Sequence, residues 1–319
     1  MTVSSKQGSP LLAVWPGMGH VALTAGFYLM SKLHMREEKP LATQDLFDLD
    51  YVDVGDGLAT AGHIPVSHLY GVQNSRQGSE LRLVIGEAQP PLHKLEYCRR
   101  ILDEAEKFGI GQVMTFSAMA IDAHPRDPSQ VFGVATHPEG LEKLRRHKIQ
   151  ILKSGQIQGM NGVFLAAAAQ RGISGLCLLG SMPAFAAALP YPKASLAILE
   201  TFSALCEVSV DLDELRSYSR SIERQLTSGL EKIQESFRAS EGAEAPAPSP
   251  TDANEEAEEG EATDPVPSLA DRRRIEDLFE QASLDRSKAF ELKRELDRLG
   301  LFKDYESRFL DLFRSPPAA

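Results

Sequence analysis

Short, wholly apolar runs recur along the chain up to Gly180, separated by stretches whose apolar residues return every three or four positions. The runs predict strands buried on both faces, and the three-to-four spacing predicts helices between them. Leu11 to Trp15 is the first run, closed by Pro16-Gly17-Met18-Gly19-His20, after which Val21, Leu23, Phe27, Tyr28 and Leu33 carry a helical period. Lys39 to Gly62 is mixed, and only a strand near Leu46 is predicted there. His63 to Gln73 alternates and Leu81 to Ile85 is apolar, which predicts an antiparallel pair. Pro90-Pro91 opens an amphipathic helix with Leu95, Cys98, Leu102 and Ala105 on one face, ending at Phe108-Gly109.

Gly111 to Ala120 and Val131 to Ala135 read as further strands, and His137-Pro138-Glu139 begins a basic helix ending near His147. Ile149 to Lys153 then leads into the glycine-rich loop Gly155-Gln156-Ile157-Gln158-Gly159-Met160-Asn161-Gly162. That loop feeds an Ala-rich helix, whose glycine stop is followed by a buried strand to Gly180, half of a parallel βαβ unit. Pro192 suits the first turn of a helix running to about Cys206. Asp211 to Phe237 predicts a long helix with Leu212, Leu215, Ile222, Leu226, Ile233 and Phe237 along one stripe that needs a partner. The alternation implies an α/β fold over residues 11–238: three layers, a largely parallel sheet and helices on both faces.

Charge then divides the chain. Of the net −11, nine charges come from Ala239 to Ser268, which holds nine acids and no base, so the rest carries only −2. Residues 239–268, rich in Ala, Glu and Pro, cannot bury enough surface to offset chain entropy and are expected to be a disordered linker, as is the polar N-terminus 1–10. Beyond the linker, residues 269–319 form a helical C-terminal segment broken at Gly300. Its helical stretch from Asp271 to Phe313, about 45 residues, is marginal alone and is expected to dock on something, yet removal of the segment with the linker is expected to leave the α/β domain folded.

Nothing in the composition suits nucleic acid, because a basic stripe is missing. No run reaches the ~18–20 apolar residues of a membrane span, and no leader precedes Leu11, so a soluble cytoplasmic protein is expected. Cys98, Cys177 and Cys206 lie far apart, which fits a reducing compartment and neither disulfides nor a zinc knuckle.

The glycine loops are the candidate ligand site: Gly17, Met18, Gly19 and His20 after the first strand, and Gly155, Gln156, Gly159, Asn161 and Gly162 before the Ala-rich helix. Both leave the ends of apolar strands and could meet at a topological switch point, where unpaired helix-start amides would face a ligand. Gly17 to Ala22 matches G-x-G-x-x-G/A, but Glu37 and Glu38, at the spacing of a ribose-binding acid, precede the next apolar run instead of ending a strand. The second loop lacks the Gly-Lys-Ser/Thr of a phosphate loop, and its glycines could equally let helix and sheet approach closely, with Asn161 capping the helix. His63 and His68, an odd number of residues apart on a predicted strand, should face opposite sides, so no metal is expected. Cys98 and Cys177 sit at core positions, no G-x-S-x-G elbow exists, and the acids from Asp45 to Asp56 read as a solvated surface. No catalytic residue and no cofactor are assigned.

In order along the chain, Pro16-Gly17-Met18-Gly19-His20-Val21, the Pro90-Pro91 helix with Tyr97-Cys98 and Phe108-Gly109, Val113 to Met119, Val131-Phe132-Gly133, Gly155 to Gly162, Gly172 to Gly180 and Pro192-Lys193-Ala194 resemble the proteasome assembly chaperone family, in its prokaryotic branch, over about Leu11 to Phe237. The resemblance implies a purine-nucleoside-phosphorylase-like fold without the phosphorylase active site, homo-oligomers, and contact with proteasome α subunits. Some archaeal members dock through a C-terminal hydrophobic-tyrosine-any tail, a pattern from which Ser315-Pro316-Pro317-Ala318-Ala319 departs. The leading reading is a non-enzymatic oligomeric interaction protein. The alternative is a nucleoside-like ligand binder or enzyme using the two glycine loops.

Overall fold

Ten strands and nine α-helices form among residues 9–72, 81–241 and 269–313, the residues that the computed structural model describes. In chain order they are β1 (Ser9–Val14), α1 (Val21–Lys32), β2 (Met35–Leu41), β3 (Val52–Gly55), β4 (Leu58–Ala61), β5 (Ser67–Val72), β6 (Arg82–Gly86), α2 (Lys94–Glu106), β7 (Ile110–Ile121), β8 (Val131–Ala135), α3 (Pro138–Arg146), β9 (Gln150–Ile151), α4 (Gly159–Gln170), β10 (Ser174–Pro183), α5 (Pro192–Cys206), α6 (Asp213–Glu241), α7 (Leu269–Leu284), α8 (Ala289–Arg298) and α9 (Phe302–Asp311). The expected disordered N-terminus lies outside the described residues except for Ser9 and Pro10, which begin β1, and the acidic linker lies outside them beyond Glu241.

Eight strands form one mixed sheet in the order β2-β5-β6-β1-β7-β10-β8-β9. Its centre, β6-β1-β7-β10, is parallel, and β8 and β9 pair parallel with each other. The β2-β5, β5-β6 and β10-β8 pairs are antiparallel. The predicted antiparallel pair is therefore β5 with β6. The predicted strand near Leu46 is instead a single tight turn over Gln44–Leu46, and the strand lies earlier, at β2. Its sequence, MREEKPL, is polar because β2 is an edge strand, where charges and a proline are tolerated without breaking an interior ladder.

Helices cover both faces. One core contains Trp15, Cys98, Leu102, Phe164 and Leu165 beneath α2 and α4; the other contains Phe27, Phe116, Leu178, Ile198 and Phe202 beneath α1 and α5. The second core continues outward. Ile275, Phe279, Phe290, Leu292, Phe309 and Phe313 of the C-terminal segment belong to it without a break. Helix α1, VALTAGFYLMSK, is apolar all round and has every residue from Val21 to Ser31 buried, as a helix with a sheet on one side and helices on the other must be. Phe27 meets Phe302 and Phe309 edge-on at 5.2 and 5.3 Å, and Tyr28 meets Phe290 at 4.5 Å. Lys293 is 1% exposed; its ammonium lies 2.6 Å from Asp297 Oδ2 and 4.5 Å from the centre of the Phe302 ring. The Glu37 amide on β2 donates to the Phe313 carbonyl at 2.8 Å. The C-terminal helices thus supply the outer wall of the larger core, so the docking expected of this segment is on the α/β domain itself.

Between β2 and β5 the chain makes a separate hairpin of β3 and β4, joined by Asp56-Gly57. Both turn residues have positive φ, +51° and +79°, the backbone of a two-residue hairpin turn that favours Asp-Gly. No helix of the described residues is long and apolar enough to cross a membrane.

Candidate functional site

The first glycine loop leaves the carboxyl end of β1 and the second ends in the first turn of α4, and a side chain absent from the sequence-based site joins them. Gln89, just before the Pro90-Pro91 turn, donates from Nε2 to the Pro16 carbonyl at 2.7 Å and accepts at Oε1 from the Met160 amide at 3.1 Å. It thus bridges the end of β1 to the first turn of α4, and its carboxamide oxygen sits where an anion would meet that helix start. The glycines shape this contact. Gly159 has φ +72°, and a β-carbon there would lie 2.8 Å from Gln89 Oε1; one on Gly162 would lie 2.0 Å from the Ile157 carbonyl oxygen. Gly155 and Gln156 are exposed.

The first loop is held by backbone bonds to the β10-α5 connection: the Gly19 amide donates to Ala187 and its carbonyl accepts from Tyr191, both at 2.8 Å. Gly19 is buried while Gly17, Met18 and His20 are exposed. Asn161 is not a cap. Residue Gln158 occupies the position before α4, and Asn161 lies inside the first turn, 8% exposed, with no hydrogen-bond partner for Oδ1 among the described residues.

Beside these loops a buried polar network crosses from β1 to β5. Trp15 Nε1 donates to Tyr97 OH at 2.9 Å, and Ser67 Oγ lies 2.5 Å from the same phenol. Burial pushes the Tyr97 hydroxyl up to about 12, so it stays a neutral donor and acceptor.

The two histidines correct the reading of opposite faces. His63 precedes β5, where strand alternation does not apply, and its Nε2 lies 2.5 Å from Glu87 Oε2. His68 is 3% exposed; its Nδ1 lies 2.7 Å from Glu37 Oε1, and its Nε2 is 3.4 Å from Glu87 Oε1, an ion-pair distance. Both histidines therefore meet Glu87, which also accepts from the Val66 amide at 2.8 Å. Burial opposes a charge on His68, but the carboxylates of Glu37 and Glu87 prevail and push its imidazole up to about 9. Burial would raise Glu87, and its bonds to His68, His63 and the Val66 amide outweigh that, leaving it below the ordinary range. Glu306 on α9 completes the set, its carboxyl pushed up to about 8 by burial first and the Glu87 charge second. An open cleft of about 390 Å³ adjoins His68 and Glu37, lined also by Lys39, Pro40 and Gln44. Its chemistry is that of a paired ionic cluster, and no group of three or more metal-type ligands suited to an ion occurs among the described residues.

Nucleophilic chemistry finds little support. Burial pushes Cys98 and Cys177 up to about 12 and Cys206 up to about 11, which keeps all three as thiols.

A model of the PAC2 family matches residues 11–228. The uncharacterized protein MJ1210 of Methanocaldococcus jannaschii is 28% identical over 226 residues, which cover 69% of this chain and 82% of that protein. Among solved structures, the proteasome-assembly chaperone homologue Rv2125 of Mycobacterium tuberculosis superposes with a TM-score of 0.60 at 20% identity, covering 69% of this chain and 94% of its own. PbaB of Pyrococcus furiosus, an archaeal proteasome activator, gives 0.59 at 19% identity, with 72% and 95% covered. A PAC2 family protein of Streptomyces avermitilis gives 0.59 at 22%, with 74% and 100% covered. At these identities the likeness to the solved structures is one of fold.

Proposed function

The chain belongs to the PAC2 family, and on that premise we propose that it is a non-enzymatic, self-associating protein that binds protein clients, proteasome α subunits among them, as an assembly chaperone or activator. The roles named for Rv2125 and PbaB support this reading. The observation that carries it is Gln89, because the strand-end position where an α/β protein of this layout would hold an anionic ligand is filled by the chain's own carboxamide. On the same reading the phosphorylase-like sheet serves as a scaffold for protein contacts. Three thiols, free and kept protonated by burial, suit a cytoplasmic setting. Pull-down of the organism's own proteasome α subunits on the full chain tests the client. Capture is expected, and a full chain that captures none of them contradicts the assignment.

One observation favours a second reading, a nucleoside-like ligand at the glycine loops: the buried Asn161 Oδ1, which finds no hydrogen-bond partner among the described residues. Thermal shift against a nucleoside and nucleotide panel decides it, since a ligand at 100 times its dissociation constant stabilises by about 2.7 kcal/mol. A panel without any shift excludes it.

A further inference from the structure

The β3-β4 hairpin leaves the sheet and turns an apolar face to solvent. Its register pairs Val52 with Ala61 and Val54 with Ala59, and paired residues share a face, so that face carries four apolar side chains and no polar one. All four are exposed, Val54 at 71%. A two-stranded hairpin is marginal in water by itself, and a contiguous apolar face on one marks a contact surface. The hairpin is also strongly acidic. Residues 40–62 contain five aspartates and no lysine or arginine. Two such hairpins would repel face to face, so the chemistry asks for an apolar surface rimmed by bases.

The opposite edge of the sheet has that chemistry. Residues 143–153, from α3 through β9, carry five lysines and arginines and no acid, and Arg145, Arg146 and Lys148 are exposed. Arg146 has an i,i+4 partner in Glu142 at 3.4 Å. Ile149, Ile151 and Leu152 lie half-buried among these bases, and β9 is the terminal strand of the sheet. The hairpin follows β2, the strand at the other edge. Seven inter-strand steps separate β2 from β9, roughly 34 Å at ~4.8 Å per step. A hairpin of four-residue strands cannot span that distance within one molecule.

We infer that the β3-β4 hairpin is the self-association arm of this protein, docking by its Val52/Val54 face on the basic α3-β9 edge of a second copy. The contact is head-to-tail, joining different surfaces of the two copies, and it forms a ring if the rotation closes. It rests on the self-association in the function proposed above and names the two surfaces that make it.

Light scattering on the full chain at low salt tests the arm. The wild type is expected as an oligomer that dissociates as salt screens the charges. The V52D/V54D variant is expected as a monomer with an unchanged melting temperature. D50K/D53K and R145E/R146E are each expected to be monomeric alone, and an equimolar mixture of the two to associate again, because each reversed surface then meets its complement. A wild-type oligomer that persists in V52D/V54D, or a mixture that stays monomeric, overturns the arm while leaving self-association intact. A monomeric wild type overturns both.

Discussion

Two apolar surfaces of similar chemistry meet different fates in this molecule. The outer face of α1 is covered by α8 and α9, which place Phe290, Phe302 and Phe309 on Phe27 and Tyr28. The Val52/Val54 face of the hairpin has no such cover among the described residues. Stability and recognition are thereby assigned to different surfaces. Burial of aromatic side chains against α1 stabilises the fold, whereas side chains already in water contribute almost nothing to it and remain available for a partner. The family match ends at residue 228, so the cover of α1 is built from sequence outside the matched region.

Removing the cover should have the largest effect. Deletion of residues 242–319 is expected to lower the melting temperature by more than 10 °C or to yield insoluble protein, because α1 would lose one of its two packing surfaces. The milder F290A is expected to cost about 3–5 kcal/mol, measured by urea unfolding. A truncated chain that melts with the full one would erase the contrast between the two faces.

Next in size is the charge pair inside the cover. With side chains 2% and 4% exposed, Lys293 and Asp297 share one buried ion pair. K293M strands the Asp297 carboxylate and is expected to cost about 3–5 kcal/mol, whereas K293M/D297L, which removes both charges, should recover most of that loss. Equal destabilisation of the two variants would show that packing, not charge, decides here.

A smaller effect depends on pH. Burial first and the Glu87 charge second push the Glu306 carboxyl from an ordinary value of 4.5 up to about 8, against the opposing charges of Lys293, His68 and Lys303. Its contribution is therefore fully present below about pH 4.5 and is lost as pH rises through 8. His68, raised from 6.5 to about 9, has the same sign, its contribution present below 6.5 and lost through 9. Melting curves from pH 5 to 9 should fall more steeply for the wild type than for E306Q, which stays neutral throughout. Parallel curves would remove Glu306 from the docking of α9.

The smallest expected change in stability belongs to the hairpin. V54T alters a side chain already 71% exposed and should stay within about 0.5 kcal/mol of the wild type. A larger loss would mean that this face is packed in the free protein.

Much of the fold was legible because its signals are local. The apolar runs at β1, β7 and β10 and the helical periods of α2, α5 and α6 depend only on near neighbours in sequence. β2 was misplaced because an edge strand carries charges, and the β3-β4 hairpin was missed despite Asp56-Gly57, its clearest turn signal. The docking of the C-terminal segment had a trace in α1, whose apolar residues go all the way round, but which helix supplies the cover is a long-range matter. The glycine loops of the candidate site were visible for the same local reason. Gln89 was not, since its two partners lie 73 and 71 residues away. The meeting of His63 and His68 at Glu87 was hidden by treating His63 as part of β5.

Hydrogen exchange of the full chain, followed as a function of protein concentration, tests the separation of the two faces most directly. Amides of α1 are expected to exchange slowly at every concentration, while those of 52–61 exchange quickly when dilute and become protected, together with 143–151, as concentration rises. Hairpin amides protected equally at all concentrations, or α1 amides exchanging as fast as the hairpin, would contradict it.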